Sequence, residues 1–192
     1  MSTRPGGQPE DRLSAHASGL RAVFLVGFMG AGKSSVGRAL SLRLGWTFED
    51  LDERIQARER RSIEQIFQQS GEPEFRRVEH AALRELLAEL SSSPRVVALG
   101  GGTFVQAHNA ALLKEAGVPS IFLDAPVEEL FRRCAAEKSE RPLRRDAEEF
   151  RRLYDARKPH YMQASWRIET AGKDIEAVAE EIAGILNLGK RK

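Results

Sequence analysis

Nine residues, "GFMGAGKSS" at 27–35, follow directly on the apolar run "RAVFLV" and limit what this chain can become. Gly27, Gly32, Lys33 and Ser34 fit the pattern G-x-x-x-x-G-K-[ST], which needs a strand before it and a helix after it. Both are predicted: the run at 21–27 reads as a buried strand, and 33–44 as a helix with Val36, Leu40 and Leu44 on one face. In that setting loop N–H groups and the positive end of the helix cradle phosphates. Gly30, Ala31, Gly32, Lys33, Ser34 and Ser35 are therefore expected to bind a nucleoside triphosphate. Lys33 reaches the β- and γ-phosphates, and the Ser34 hydroxyl ligates magnesium. Side chains at Gly30 and Gly32 are expected to block the approach of the phosphates. A dinucleotide fingerprint starting at Gly30 and Gly32 fails, because it needs glycine where Ser35 stands.

The rest of the chain repeats the alternation of strand and helix. Strands are predicted at 46–50, 95–99, 118–124 and 166–170, the last being the weakest. Helices are expected at 52–59, 62–71, 72–90, 108–116, 126–137, up to Arg157, and over 174–187. Ser62 three residues before Gln65 is a capping-box pattern, and Gly71 can end the helix it opens. Strands alternating with helices predict an α/β fold of three layers, α/β/α, around a five-stranded parallel sheet. At 192 residues one such domain is expected, over about 21–188, preceded by a flexible extension at 1–20.

Composition removes other classes. Hydrophobic residues make up 41% and charged residues 30%, unlike a disordered or membrane chain. No apolar run approaches the ~20 residues needed to span a bilayer. A net charge of +2 gives no global bias toward nucleic acid. The single cysteine, Cys134, suits a reducing cytosol and reads as a small buried hydrophobe on a helix. The first twenty residues lack an apolar signal core, so a cytoplasmic location is expected.

A phosphate loop alone does not name the acceptor. The chain lacks the N-K-x-D guanine reader of GTPases, and its size favours a small kinase. Asp50 and Asp52, in "FEDLDERI", are expected to point to one side at the end of a strand. One carboxylate can then orient magnesium water and the other accept from a substrate hydroxyl, unless the pair is a solvated acidic loop. "GEPEFRRVE" places Arg76, Arg77 and Glu79 on a helix beside Phe75, either as a carboxylate-binding fork or as a surface charge pair. Gly100, Gly101 and Gly102, in "ALGGGT", mark either close backbone approach or a mobile turn. His80, His108 and His160 lack metal-ligand spacing and read as surface or packing residues.

Taken in order, GFMGAGKSS, FEDLDERI, GEPEFRRVE, ALGGGT, RPL and R-x-P-x-Y resemble the shikimate kinase family over roughly residues 21–188. That resemblance implies a fold of the phosphate-loop, nucleoside-monophosphate-kinase-like kind and ATP-dependent phosphorylation of the shikimate 3-hydroxyl. It implies that Asp52 holds ring hydroxyls and accepts the proton of the attacking one. It further implies Asp50 and Ser34 at magnesium, and Arg76 with Arg157 as a clamp on the substrate carboxylate. Gly100, Gly101 and Gly102 then donate backbone N–H groups, with Phe67 and Phe75 as apolar walls. Arg141, in "RPL", corresponds to the arginine of a lid at about 138–148, while Arg133 and Lys173 correspond to positions near the adenine. The partners so implied are shikimate and ATP, with no nucleic acid and no membrane, and a monomer is expected. Sister kinases acting on gluconate or nucleoside monophosphates are the nearest alternatives, and a non-catalytic nucleotide-binding regulator a more distant one. The sequence departs from the family at "TAGKDI", which lacks an Asn-Pro often found by the adenine, and in its charged lid, "RPLRRDAEE".

Overall fold

The computed structural model describes residues 20–136 and 146–187. Five strands, β1 (Ala22–Val26), β2 (Thr47–Asp50), β3 (Arg95–Ala98), β4 (Ser120–Asp124) and β5 (Trp166–Glu169), form one parallel sheet in the order β2-β3-β1-β4-β5. Every residue of β1, β3 and β4 is buried, as continuous apolar runs in a doubly covered parallel sheet require. The edge strands β2 and β5 are half exposed, which is why "WRIET" is the faintest strand in the sequence. Helices cover both faces of the sheet. Among them α1 (Lys33–Leu44) packs on α7 (Ile175–Ile185) and on β3.

The chain leaves β1 toward one edge to make β2 and β3, then returns past β1 to make β4 and β5. That reversal opens a crevice at the carboxyl end of β1, where ligands bind in sheets of this kind. Three loops meet there: the phosphate loop after β1, the start of α2 (Leu51–Glu59) after β2, and the triple glycine after β3.

Three local features depart from the expected elements or refine them. β2 ends at Asp50 and Asp52 lies in the first turn of α2, in line with the strand expected at 46–50 and the helix at 52–59, so period-two alternation does not relate the two carboxylates. The two predicted helices at 62–71 and 72–90 run on as α3 (Ile63–Ala88), broken at Gly71 by φ 77° and ψ 174°. That backbone state is open to glycine, and Pro73 then fits the first turn of the second segment. The expected capping box is present, with Gln65 N–H donating to Ser62 Oγ at 3.1 Å and Ser62 N–H to Gln65 Oε1 at 2.8 Å. Helix α6 spans Ala147–Tyr161, beginning in what reads as a charged loop and continuing past Arg157. Asp146 caps it by accepting from the N–H groups of Glu148 and Glu149, and acidic residues suit a helix's positive end. Pro159 falls in the last turn of this helix.

Candidate functional site

The site opens on a left-handed residue. Gly32 caps α1 with φ 83° and ψ 18°, a conformation that turns the loop onto the helix axis. Gly30 answers to a different demand. A Cβ there would stand 2.6 Å from the Leu130 carbonyl oxygen and 2.9 Å from Cys134 Sγ, both on α5 (Val127–Ala136). Gly27 is similarly pressed, 2.8 Å from the Leu123 carbonyl oxygen at the end of β4. The protein's own packing therefore already excludes a side chain at Gly30, whereas at Gly32 a Cβ would meet none of the surrounding protein within 4 Å. Cys134 is buried beneath the loop as expected.

Lys33 curls back over the loop, donating from Nζ to the carbonyls of Gly27 at 2.9 Å and Phe28 at 3.0 Å. Ser34 Oγ donates to Asp50 Oδ2 at 2.8 Å, while Asp50 Oδ1 accepts from the Asp52 N–H at 3.0 Å. Asp50 is thus the N-cap of α2 and the partner of the phosphate loop together. The two carboxylates reach one crevice through this cap, and the strand alternation expected for them does not operate.

Across the crevice the triple glycine meets the charged groups. A Cβ on Gly100 would lie 2.6 Å from Asp52 Oδ1, and one on Gly102 would lie 2.7 Å from Arg76 Nη1. One on Gly101 would lie 3.7 Å from Arg157 Nη1. The backbone and three side chains therefore converge here, and close approach accounts for glycine at positions 100 and 102, while a Cβ at 101 would make only ordinary contact. Arg76 donates to Glu79 at 2.9 Å and to Glu72 at 3.0 Å, and its guanidinium lies 5.1 Å from the Phe75 ring centre. Glu79, almost wholly buried, also accepts from Thr103 Oγ1 at 2.6 Å. Two acids outweigh the desolvation that burial imposes on Arg76, so its pKa is raised and it stays charged. Arg77 faces outward and pairs with Glu74, so the fork has one arm on α3. Phe67 and Phe75 face one another across the Gly71 break with centroids 4.6 Å apart.

These groups line a cleft of about 340 Å³, near the lower end of small-molecule sites. Gly30, Gly32, Lys33, Ser34, Ser35, Asp50, Asp52, Phe67, Phe75, Arg76, the three glycines and Arg157 all border it. Glu79, read from sequence beside Arg76, borders it too. Met29, Ile63 and Leu99 also border it, apolar residues with no signal in the sequence. Ala31 is buried and spends its N–H on the Phe28 carbonyl at 3.2 Å, outside the cleft wall. Arg133 also stands outside the wall, held by Glu129 and directed at the carbonyls of Gly30 and Thr170, each at 3.5 Å. Lys173 pairs with Glu181 at 2.6 Å and does not border the cleft. Arg141 lies outside the described residues. His80 and His108 stack edge to face at 4.7 Å, with His80 on Asn109, as packing residues.

The sequence profile of the family described as Shikimate kinase matches residues 29–187. The chain belongs to the shikimate kinase family. A shikimate kinase from Geobacter metallireducens is 44% identical over 172 residues, covering 88% of this chain and 93% of that one. One from Persephonella marina is 38% identical over 165 residues, covering 86% and 98%. Among solved structures, shikimate kinase from Acinetobacter baumannii in complex with shikimate superposes with a TM-score of 0.80 at 34% identity, covering 93% and 99%. As a shikimate kinase family member the chain is an ATP-using phosphotransferase with an alcohol acceptor. Strand β3 ends at Ala98 and runs on into Leu99-Gly100, without the acidic residue that ordinary phosphate-loop NTPases place there.

Proposed function

We propose that this chain transfers the γ-phosphoryl group of ATP to the 3-hydroxyl of shikimate, giving shikimate 3-phosphate on the route to chorismate and the aromatic amino acids. One observation carries the reading: Asp52, Arg76 and Arg157 meet around Gly100–Gly102 in the same cleft that holds Lys33 and Ser34. The Acinetobacter relative, in complex with shikimate, supports the choice of acceptor.

Each group has work that suits its chemistry. Arg76 and Arg157 approach the cleft from α3 and α6 and grip the substrate carboxylate with planar forks. Gly100, Gly101 and Gly102 offer backbone donors, and Phe67 and Phe75 close the ring's apolar side. Asp52 accepts the proton of the 3-hydroxyl. The hydroxyl oxygen then bonds to the γ-phosphorus as the bond to the bridging oxygen breaks, and ADP leaves. Lys33 exchanges the Gly27 and Phe28 carbonyls for phosphate oxygens, where it stabilises developing charge. Gly30, Ala31, Gly32, Ser34 and Ser35 complete the phosphate cradle, with Arg133 and Lys173 on the adenine side and Arg141 as the lid arginine. The kinase domain on this reading spans 21–188, with substrate-binding helices over 52–90 and a lid over 138–148.

Ser34 and Asp50 fit magnesium, because both are hard oxygen donors 2.8 Å apart and magnesium takes few protein ligands beside phosphates. When bound, the ion neutralises charge on the β- and γ-phosphates. The enzyme is proposed to work as a cytoplasmic monomer.

A coupled ADP-release assay with magnesium and ATP tests the reading, run in parallel on shikimate, gluconate, AMP and no acceptor. Release that requires shikimate supports it. Release with another acceptor removes the roles given to Asp52, Arg76 and Arg157, and silence with all of them overturns the proposed activity.

A further inference from the structure

Arg157 and Tyr161 stand one turn apart on α6, on the same face of the helix. Tyr161 is fully buried, its ring stacked on Phe122 of β4 with centroids 5.3 Å apart. Its hydroxyl donates to the Gly101 carbonyl. A Cβ on Gly101 would lie 3.7 Å from Arg157 Nη1 and 3.8 Å from the Gly27 carbonyl oxygen. Gly101 is therefore the point where α6, the triple glycine and the phosphate loop touch.

Glycine peptides rotate at little steric cost, so a run of three does not fix its own direction. Two hydrogen bonds constrain this one. Thr103 N–H donates to the Gly100 carbonyl at 3.1 Å and closes the turn. Tyr161 holds the Gly101 carbonyl on the core side. In a trans peptide the C=O and the following N–H point in opposite directions, and the described residues contain no cis peptide. Anchoring the Gly101 carbonyl toward the core thus turns the Gly102 N–H toward the cleft that Gly102 lines. Among the described residues neither Gly101 nor Gly102 spends its N–H on a backbone partner. Both remain available to a ligand.

We propose that Tyr161 is a positioning residue, whose hydroxyl holds the Gly101–Gly102 peptide with its N–H facing the acceptor substrate and keeps that peptide in register with Arg157. The proposal rests on the reading of the cleft as a shikimate site and adds the group that orients its backbone donors. Burial pushes the phenol up to about 12, against the opposing influence of the Arg157 charge, so the hydroxyl remains a donor at neutral pH.

Tyr161→Phe tests this on the full chain, since it deletes one oxygen and keeps the stacked ring. Tyr154→Phe is the control. It deletes the other buried phenol oxygen of α6, which donates to Asp124 at 2.9 Å and not to the glycine turn. Both variants should fold and melt a few degrees below the wild type. Tyr161→Phe is expected to raise the KM for shikimate about tenfold and leave the KM for ATP within about twofold, the loss typical of one unsatisfied buried group. Tyr154→Phe is expected to leave both constants at the wild-type values. A shikimate KM unchanged in Tyr161→Phe, or raised equally in the two variants, overturns the positioning role. A wild-type enzyme indifferent to shikimate overturns the reading of the cleft, and this inference with it.

Discussion

The hydroxyl of Ser34 and the carboxylate of Asp50 are joined at 2.8 Å, across sixteen positions of sequence, by the same aspartate that caps α2. One oxygen of Asp50 accepts from Ser34 of the phosphate loop and the other from the helix that carries Asp52. The two functions separate on mutation. Ser34→Ala should lower metal-dependent ATP affinity about 10–100-fold while leaving the melting temperature close to wild type. Asp50→Ala should do both kinds of damage, because it also removes a cap contributing about 1 kcal/mol. Magnesium titrations of ATP turnover, alongside thermal melts, distinguish the two patterns.

Lys33 makes its hydrogen bonds to the carbonyls of its own loop. Lys33→Ala should therefore leave the far-ultraviolet circular dichroism unchanged and reduce kcat by about two to three orders of magnitude, as loss of one charge-stabilising donor does. Turnover like that of the wild type would remove the loop from the chemistry.

Arg76 and Arg157 should fail in different ways. Glu79 is almost wholly buried, and it pairs with Arg76. Removing one member of a buried pair costs about 3–5 kcal/mol, so Arg76→Ala should lose stability as well as shikimate affinity. Arg157 lies over the Phe28 ring, 5.9 Å from its centre, and beside Tyr161. Arg157→Ala should raise the shikimate KM with little change in melting temperature. Calorimetric melts and initial-rate kinetics on both variants provide the comparison.

At the β2 edge, the hydrogen bond from Arg54 holds the Glu89 carboxyl below its ordinary value of 4.5, with partial burial opposing. A depressed folded pKa means that the stabilisation is present above the unfolded value and is lost as pH falls through the folded one. The contribution is small, because the Glu89 side chain is 46% exposed. Glu89→Gln should melt slightly below the wild type at about pH 7, and the two curves should converge below about pH 4. A constant gap across that range would detach Glu89 from the acid response.

What the sequence made legible was local. The run into Gly27, the alternation of strands and helices, the Ser62–Gln65 box and the break at Gly71 each depend on neighbours within a few residues, and each is present. Period-two spacing suggests one side for Asp50 and Asp52, but Asp52 opens a helix, and the first turn of a helix puts residues i and i+2 in similar reach of a cleft. The start of α6 was hidden by its charge: acidic residues in a first turn look like a loop until Asp146 is recognised as their cap. Ser34 and Asp50 come together in the sequence only through the family resemblance, since no local pattern connects them. Thr103 on Glu79 and Tyr161 on Gly101 have no sequence signal of either kind.

Gly27 and Gly30 rest on Leu123 and Leu130, which lie far downstream in the chain. A ribosome delivers the phosphate loop early, but the carbonyls that form its floor only after β4 and α5 have been made. Contacts between segments so distant in sequence are slow to form, and synthesis proceeds from the amino end. The nascent loop therefore lacks this floor until about a hundred residues beyond it have been made, and its final shape is set by chain that follows it at a distance.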